Sequence, residues 1–303
     1  MTWAVCAMPG NEAFAKRLAA LLDVGLLPLE WRRFPDGESY VRFTMSPEGR
    51  DIAIVCTMQD PDPMFLTLHF AACTARELGA SRIGLIAPYL AYMRQDRSFR
   101  DGEAISSKYF AALLSADFDW LLTVDPHLHR YVSLADIYTI PTTMVSSAPA
   151  LADWIRTEVT QPLIVGPDAE SERWVTDVAR RVGAPHVVLR KTRRGDRSVE
   201  IDTSMLTKWK DKVPVIVDDI ISSARTMAIT VQRLRAEGYM RPVCVGVHGL
   251  FAGDAYSVLR NAGAARIVTT NAVSHETNAI DLSALIAEHV RENLHFCALF
   301  PEP

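Results

Sequence analysis

One stretch, Val213 to Gly238, constrains the chain more than any other. It opens on Val213-Pro-Val-Ile-Val217, a short β-branched run of the kind that parallel sheets bury on both faces. Two adjacent carboxylates follow, Asp218 and Asp219, and then the small and hydroxylic run Ser222-Ser223-Ala224-Arg225-Thr226. From Thr226 the period changes. Met227, Val231 and Leu234 recur at helical spacing, and Gly238 is placed to cap the helix end. The expected order is strand, acidic pair, tight turn, helix. Amide groups at such a turn and helix start favour a phosphate. Carboxylates beside a phosphate site suit sugar hydroxyls or a cation. An isolated Asp-Asp is commonly a helix cap; the strand before it and the turn and helix after it point to a ligand loop.

The same rhythm runs through the whole chain. Apolar runs predict strands at 2–8, 51–57, 82–88, 120–125, 163–165, 186–190, 242–247 and 266–270, with an alternating one at 39–44. Helical spacing marks 12–22, 63–78, 106–116, 171–182 and 282–293. Gly79-Ala-Ser-Arg-Ile-Gly-Leu and Gly263-Ala-Ala-Arg-Ile-Val-Thr repeat one helix-to-strand junction. With 303 residues, two domains are expected. The fold class is α/β: two similar domains, each a mostly parallel sheet flanked by helices, divided at 1–145 and 146–303. The last helix is free to pack back on the N-terminal domain. Asp125, Asp168, Lys191, Asp218, His248 and Asn271 all stand at the C-terminal ends of strands, the edge where open α/β sheets place ligands.

Composition narrows the function. A formal charge of −4 gives no basic footprint for nucleic acid. The five cysteines are scattered without a C-x-x-C, which argues for reduced thiols and a cytoplasmic protein. No run is long and apolar enough to span a bilayer, so no membrane partner is expected. Neither a P-loop nor G-x-G-x-x-G is present, and H-E-x-x-H is missing too, which disfavours ordinary P-loop ATPases, Rossmann dehydrogenases and zincin chemistry.

The 213–226 stretch resembles the phosphoribosyl-diphosphate loop shared by type I phosphoribosyltransferases and ribose-phosphate diphosphokinases. Further segments resemble the diphosphokinase family, in its order. They are Phe34-Pro-Asp-Gly-Glu38, the segment Pro88 to Ser106 with Arg94-Gln95-Asp96-Arg97, Asp125-Pro-His127, Pro167-Asp168-Ala169, Lys191-Thr-Arg193, His248-Gly-Leu-Phe251 and Thr270-Asn271. Any one is weak; together and in order they are specific. The short Arg97–Glu103 segment, with its Gly-Glu, is similar to that of archaeal members.

The resemblance implies two domains of the type I phosphoribosyltransferase-like kind. It implies transfer of a diphosphoryl group from ATP to O1 of ribose 5-phosphate. Lys191 and Arg193 would be catalytic. Phe34, Asp36, Glu38, Arg94, Gln95, Asp96 and His127 would bind ATP. Asp218, Asp219, Ser222, Ser223, Ala224, Arg225 and Thr226 would bind ribose 5-phosphate. His127 and Asp168 would hold Mg²⁺. In the family the Phe34–Glu38 loop reaches a neighbouring subunit, so a homodimer or larger assembly is expected. The chain departs from the pattern at Ala224, where the family has Gly, at Glu170-Ser171 in place of Gly-Gly, and at Asp36 in place of Asn. A type I phosphoribosyltransferase, or a non-catalytic regulatory homologue, would share part of these motifs. The first would need neither the ATP segments nor a second α/β domain. Retention of Lys191, Arg193 and His127 argues against the second.

Overall fold

The structure is a computed structural model. It describes residues 2–189, 191–194, 198–201 and 204–299; for 191–194, 198–201, 204–205 and 293–299 only the backbone enters the description. The chain divides into two compact units, Met1–Val145 with the segment from Ser283 on, and Ser146–Leu282.

The first unit contains β1 (Thr2–Ala7), α1 (Glu12–Leu22), β2 (Gly25–Leu26), β3 (Leu29–Arg33), β4 (Ser39–Phe43), β5 (Arg50–Val55), α2 (Pro61–Glu77), β6 (Arg82–Ala87), α3 (Ser106–Asp117), β7 (Trp120–Val124) and β8 (Thr142–Val145). Its six-stranded sheet runs β2-β1-β5-β6-β7-β8, every pair parallel. The inner strands are apolar on both faces because helices cover both; Ile52, Ile54, Ile83, Leu85, Leu121 and Leu122 are fully buried. The antiparallel ribbon β3-β4 stands apart from this sheet.

The second unit contains α4 (Ala148–Glu158), β9 (Pro162–Gly166), α5 (Glu172–Val182), β10 (His186–Val188), β11 (Lys191–Arg194), β12 (Ser198–Ile201), β13 (Val213–Ile221), α6 (Arg225–Ala236), β14 (Val243–Gly249), α7 (Ala255–Asn261), β15 (Arg266–Thr270) and β16 (Asn278–Ile280). Its sheet runs β10-β9-β13-β14-β15-β16, again all parallel. In chain order the two sheets have the same connectivity. Each also carries an antiparallel ribbon inserted between its second and third main strands, β3-β4 in one and β11-β12 in the other. The chain then returns through α8 (Ser283–Leu299), which packs on α1 and β8 of the first unit. No helix among the described residues is long and apolar enough to cross a membrane.

Several elements went unread in the sequence. Strand β3 is Leu-Glu-Trp-Arg-Arg, mostly exposed, and it forms because β4 pairs with it locally. Helix α4 begins Ala148-Pro149, where proline fits the first turn; in the sequence it reads as a boundary signal. The short β2, β8 and β16 and helix α7 carry too few residues for a period to show. The largest revision falls on β13. It does not stop at Val217 but continues through the acidic pair to Ile221, because Ile220 and Ile221 pair with His248 and Gly249 of β14.

Candidate active site

In the second unit the strand order reverses between β9 and β13, where open α/β sheets leave a crevice at the strand C-termini. Asp168 follows β9, and Asp218 and Asp219 lie near the end of β13. All three are half-buried. The Asp218 carboxyl is pushed well above the usual carboxylate range, first by burial and then by the negative charge of Asp219 and Asp168. Local bonds fix this acidic edge. Asp219 N–H donates to Asp218 Oδ1 at 3.1 Å, and Ile220 N–H to Asp219 Oδ1 at 2.8 Å.

Two glycines make room for the arrangement. A Cβ at Gly246, opposite Asp218, would lie 2.6 Å from Ile221 Cδ1, so the Ile221 side chain would have to move. A Cβ at Gly166 would lie 2.6 Å from Ser171 Oγ. That hydroxyl donates to the Asp168 carbonyl at 2.6 Å and Ser171 N–H does so at 3.3 Å, closing the turn that carries Asp168. The Glu170-Ser171 departure therefore puts a turn-closing hydroxyl here, with Ser171 buried and Glu170 exposed.

The turn after β13 ends at Ala224, which takes the left-handed conformation at φ 57°, ψ 3° directly before α6. A left-handed residue followed by a right-handed one points successive amides the same way, the concave nest that receives anions. The first amides of α6 have no partner within the helix. Ser222 and Thr226 are half-buried, and Ser223 and Arg225 exposed. Backbone bonds hold the turn's base: Leu250 and Phe251 N–H donate to the Ile221 carbonyl and Ala252 N–H to that of Ser222, all at 3.0 Å. The residues Asp168, Asp218, Asp219 and Ser222–Thr226 thus share one edge. Lys191 and Arg193 lie in β11, opposite Ile201 and Val199. Their side chains, and all of Gly195 and Arg197, lie outside the described residues.

In the first unit the expected ATP residues occupy separate segments. Phe34, Asp36 and Glu38 form the tip of the β3-β4 ribbon, closed by Phe34 N–H to the Glu38 carbonyl at 2.8 Å and Gly37 N–H to Phe34 at 2.9 Å. Phe34 is 37% exposed. The Arg32 guanidinium lies 4.2 Å from its ring centroid and 4.6 Å from that of Tyr40. The ribbon base is anchored on α2 by Arg33 to the Pro63 carbonyl, 2.8 Å, and Ser39 to Thr67, 2.9 Å. Arg94 is exposed and Gln95 half-buried.

Asp96 stands differently. Its side chain is only 2% exposed, and both its oxygens accept from Arg130 Nη1, at 2.7 and 3.0 Å. Tyr131 Oη donates to its carbonyl at 3.1 Å. Asp96 therefore pins the segment from within; the sequence did not disclose Arg130 and Tyr131, because the pair joins residues 34 apart. His127 follows Asp125, itself left-handed at φ 34°. His127 Nδ1 meets Nε2 of His129 at 3.1 Å, a partner that its i, i+2 spacing could have suggested.

Fold and site together define a duplicated α/β protein whose second unit carries a strand, an acidic pair and a left-handed turn at the head of a helix. Residues 3–117 match the N-terminal domain of ribose phosphate pyrophosphokinase, and residues 134–286 match the phosphoribosyl transferase domain. Relatives named ribose-phosphate pyrophosphokinase include one from Sulfurisphaera tokodaii, 31% identical over 91% of this chain and 96% of its own length. Another, from Methanopyrus kandleri, is 33% identical over 96% of this chain and 99% of its own length. The solved phosphoribosylpyrophosphate synthetase of Mycobacterium smegmatis superposes with a TM-score of 0.86 at 24% identity, over 98% of this chain and all of that one. The chain belongs to the ribose-phosphate pyrophosphokinase family.

Proposed function

We propose that the protein transfers the β,γ-diphosphoryl group of ATP to O1 of ribose 5-phosphate, giving 5-phosphoribosyl 1-diphosphate and AMP. The observation that carries this reading is the acidic edge of the second unit, set beside an anion nest at the head of α6, in a chain of this family. A sugar phosphate needs both parts: carboxylates accept from its hydroxyls, and helix-start amides hold its phosphate.

In this reading Asp218 and Asp219 hold the ribose hydroxyls, and Ser222–Thr226 the 5-phosphate. Phe34 offers a ring face to the adenine, Asp36, Glu38, Arg94 and Gln95 line the nucleotide, and His127 supports the triphosphate. Lys191 and Arg193 neutralise the transferring oxygens. O1 attacks the β-phosphorus in line, the bond from that phosphorus to the bridging oxygen of AMP breaks, and the proton of O1 passes to solvent. Little covalent chemistry falls to the protein, so positioning and charge neutralisation dominate.

Three carboxylates gathered on one strand edge, one of them driven to hold its proton, fit a hard divalent cation. Mg²⁺ would be held by Asp168 and, on the ATP side, His127, and it would supply charge neutralisation on the phosphates. The exposed aromatic tip of the β3-β4 ribbon supports a homodimer or larger assembly in which that tip meets a neighbouring subunit.

The test is product identity. With Mg²⁺, ATP and ribose 5-phosphate, the protein should form AMP only when the sugar phosphate is present, and the second product should be consumed by a phosphoribosyltransferase. ADP as the product would refute the reading.

A further inference from the structure

The proposed reaction leaves one cluster of chemistry-bearing side chains unused. His69 and Cys73 lie one turn apart on the same face of α2, and Asp117 ends α3. The Asp117 side chain is 7% exposed, and its two oxygens hold His69 Nδ1 at 2.8 and 2.9 Å. Cys73 Sγ stands 3.7 Å from His69 Nε2 and 3.9 Å from Nδ1. The three residues bring a sulfur, a nitrogen and an oxygen donor within 4.8 Å of one another.

We propose that Cys73 Sγ and His69 Nε2 bind a transition-metal ion of the zinc class, with Asp117 as the carboxylate that fixes the imidazole. A neutral imidazole bonded through Nδ1–H to a carboxylate presents the Nε2 lone pair outward, as metal-bound histidines do. The spacing fits as well. Two tetrahedral zinc bonds of about 2.3 Å to sulfur and about 2.0 Å to nitrogen place the donors roughly 3.5 Å apart, close to the 3.7 Å seen; Sγ also lies 3.9 Å from Nδ1, so the exposed thiol must rotate toward the Nε2 lone pair to share an ion with it. A thiolate and an imidazole select zinc-like ions over Mg²⁺, which prefers an oxygen shell. The C-terminal end of α3 adds the negative end of a helix dipole to the Asp117 charge.

The surroundings permit it. Cys73 is exposed and His69 is 38% exposed, which leaves an entry path and room for water at the remaining coordination positions. Arg76, one turn beyond Cys73 on α2, is turned to the Asp117 carbonyl at 3.0 Å and to Asp119 at 3.2 Å. Among the described cysteines Cys73 alone is exposed. Burial pushes the Cys6 and Cys56 thiols up to about 12 and raises that of Cys244, so those three do not compete. Binding releases the Cys73 thiol proton to solvent.

The test uses the full chain stripped of metal and titrated with Co²⁺ in excess Mg²⁺, following the near-ultraviolet thiolate-to-cobalt charge-transfer band. We expect one Co²⁺ per chain with that band, displaced by Zn²⁺. Cys73→Ser should abolish the band while the melting temperature without metal stays at the parental value, since the thiol is exposed. His69→Ala should weaken binding at least tenfold, and Asp117→Asn by about 10- to 100-fold. Absence of the band in the parent, or its survival in Cys73→Ser, would overturn the site and leave the His69–Asp117 pair as a clamp between α2 and α3. Unchanged affinity in Asp117→Asn would remove Asp117 from it.

Discussion

The two sheets share their strand order, yet the crevice beside the first strand is built in opposite ways. In the first unit it is sealed. Asn11, buried after β1, accepts from Thr57 N–H after β5 at 2.9 Å and donates to the Pro9 carbonyl at 3.1 Å. The equivalent edge of the second unit carries Asp168, Asp218 and Asp219. A neutral amide can satisfy backbone donors and acceptors on both sides at once; clustered carboxylates repel one another and suit a cation or sugar hydroxyls. One scaffold thus carries a bonded neutral amide at this position in one copy and an acidic cluster in the other. The inserted ribbons diverge in the same manner. The first ends in an exposed aromatic and acidic tip, whereas the second begins with Lys191 and Arg193.

The sharpest way to break this comparison is to tax the two ribbons in turn. Lys191→Ala should lower kcat by about 10²–10³ with the KM for ribose 5-phosphate nearly unchanged, because a transition-state contact is lost. Arg194→Ala should do much less. Phe34→Ala, in the other ribbon, should instead raise the KM for ATP. Equal, mild effects in all three would show that neither ribbon has the part given to it.

The acidic edge comes next. Asp218→Asn should cut kcat/KM for ribose 5-phosphate by roughly tenfold to a hundredfold, the cost of a charged hydrogen bond worth about 1.5–3 kcal/mol. The same change should stabilise the ligand-free protein at neutral pH. The sign follows from linkage. Folding raises the Asp218 pKa, so its contribution is present below the unfolded value of about 3.9 and is lost as pH rises through the folded one. Asn escapes that loss. Melting curves of variant and parent should therefore converge as pH falls toward about 4, and a variant less stable than the parent at pH 7 would contradict the reading of the crevice.

Asn11→Asp transplants the second unit's chemistry into the first. The carboxylate cannot donate to the Pro9 carbonyl, so a half-buried acceptor is left facing a charge. A loss of about 1–3 kcal/mol in denaturant unfolding is expected; no loss would mean the seal contributes nothing. The smallest effect should come from Ala224→Gly. Relief of a left-handed alanine, about 1–2 kcal/mol, is offset by glycine's backbone entropy, about 0.5–1, and by a lost buried methyl of about 0.8 kcal/mol. Melting should barely move, and the KM for ribose 5-phosphate should hold. A large change in either would show that the turn depends on the Cβ.

The sequence by itself determined most of the main strands and helices, α4 excepted, the parallel class and the doubling, and it marked the residues that the candidate site draws on. Those signals are local. A β-branched run, a change from strand to helical spacing and a Gly after a helix act within a few residues, so they can be read without a partner. Tertiary structure alone decided the rest. Only pairing with β14 carries β13 through two aspartates to Ile221, whose side chain packs over Gly246 of that strand. Nothing near Asp96 in the chain discloses the Arg130 that closes on it, and nothing near Asn11 discloses the Thr57 N–H that reaches it from the end of the neighbouring strand. The closing segment joins the first unit because α8 packs on α1, an association no spacing along the chain encodes. In each case the deciding free energy comes from burial and hydrogen bonding between residues far apart in sequence, which exist only once the sheets have formed.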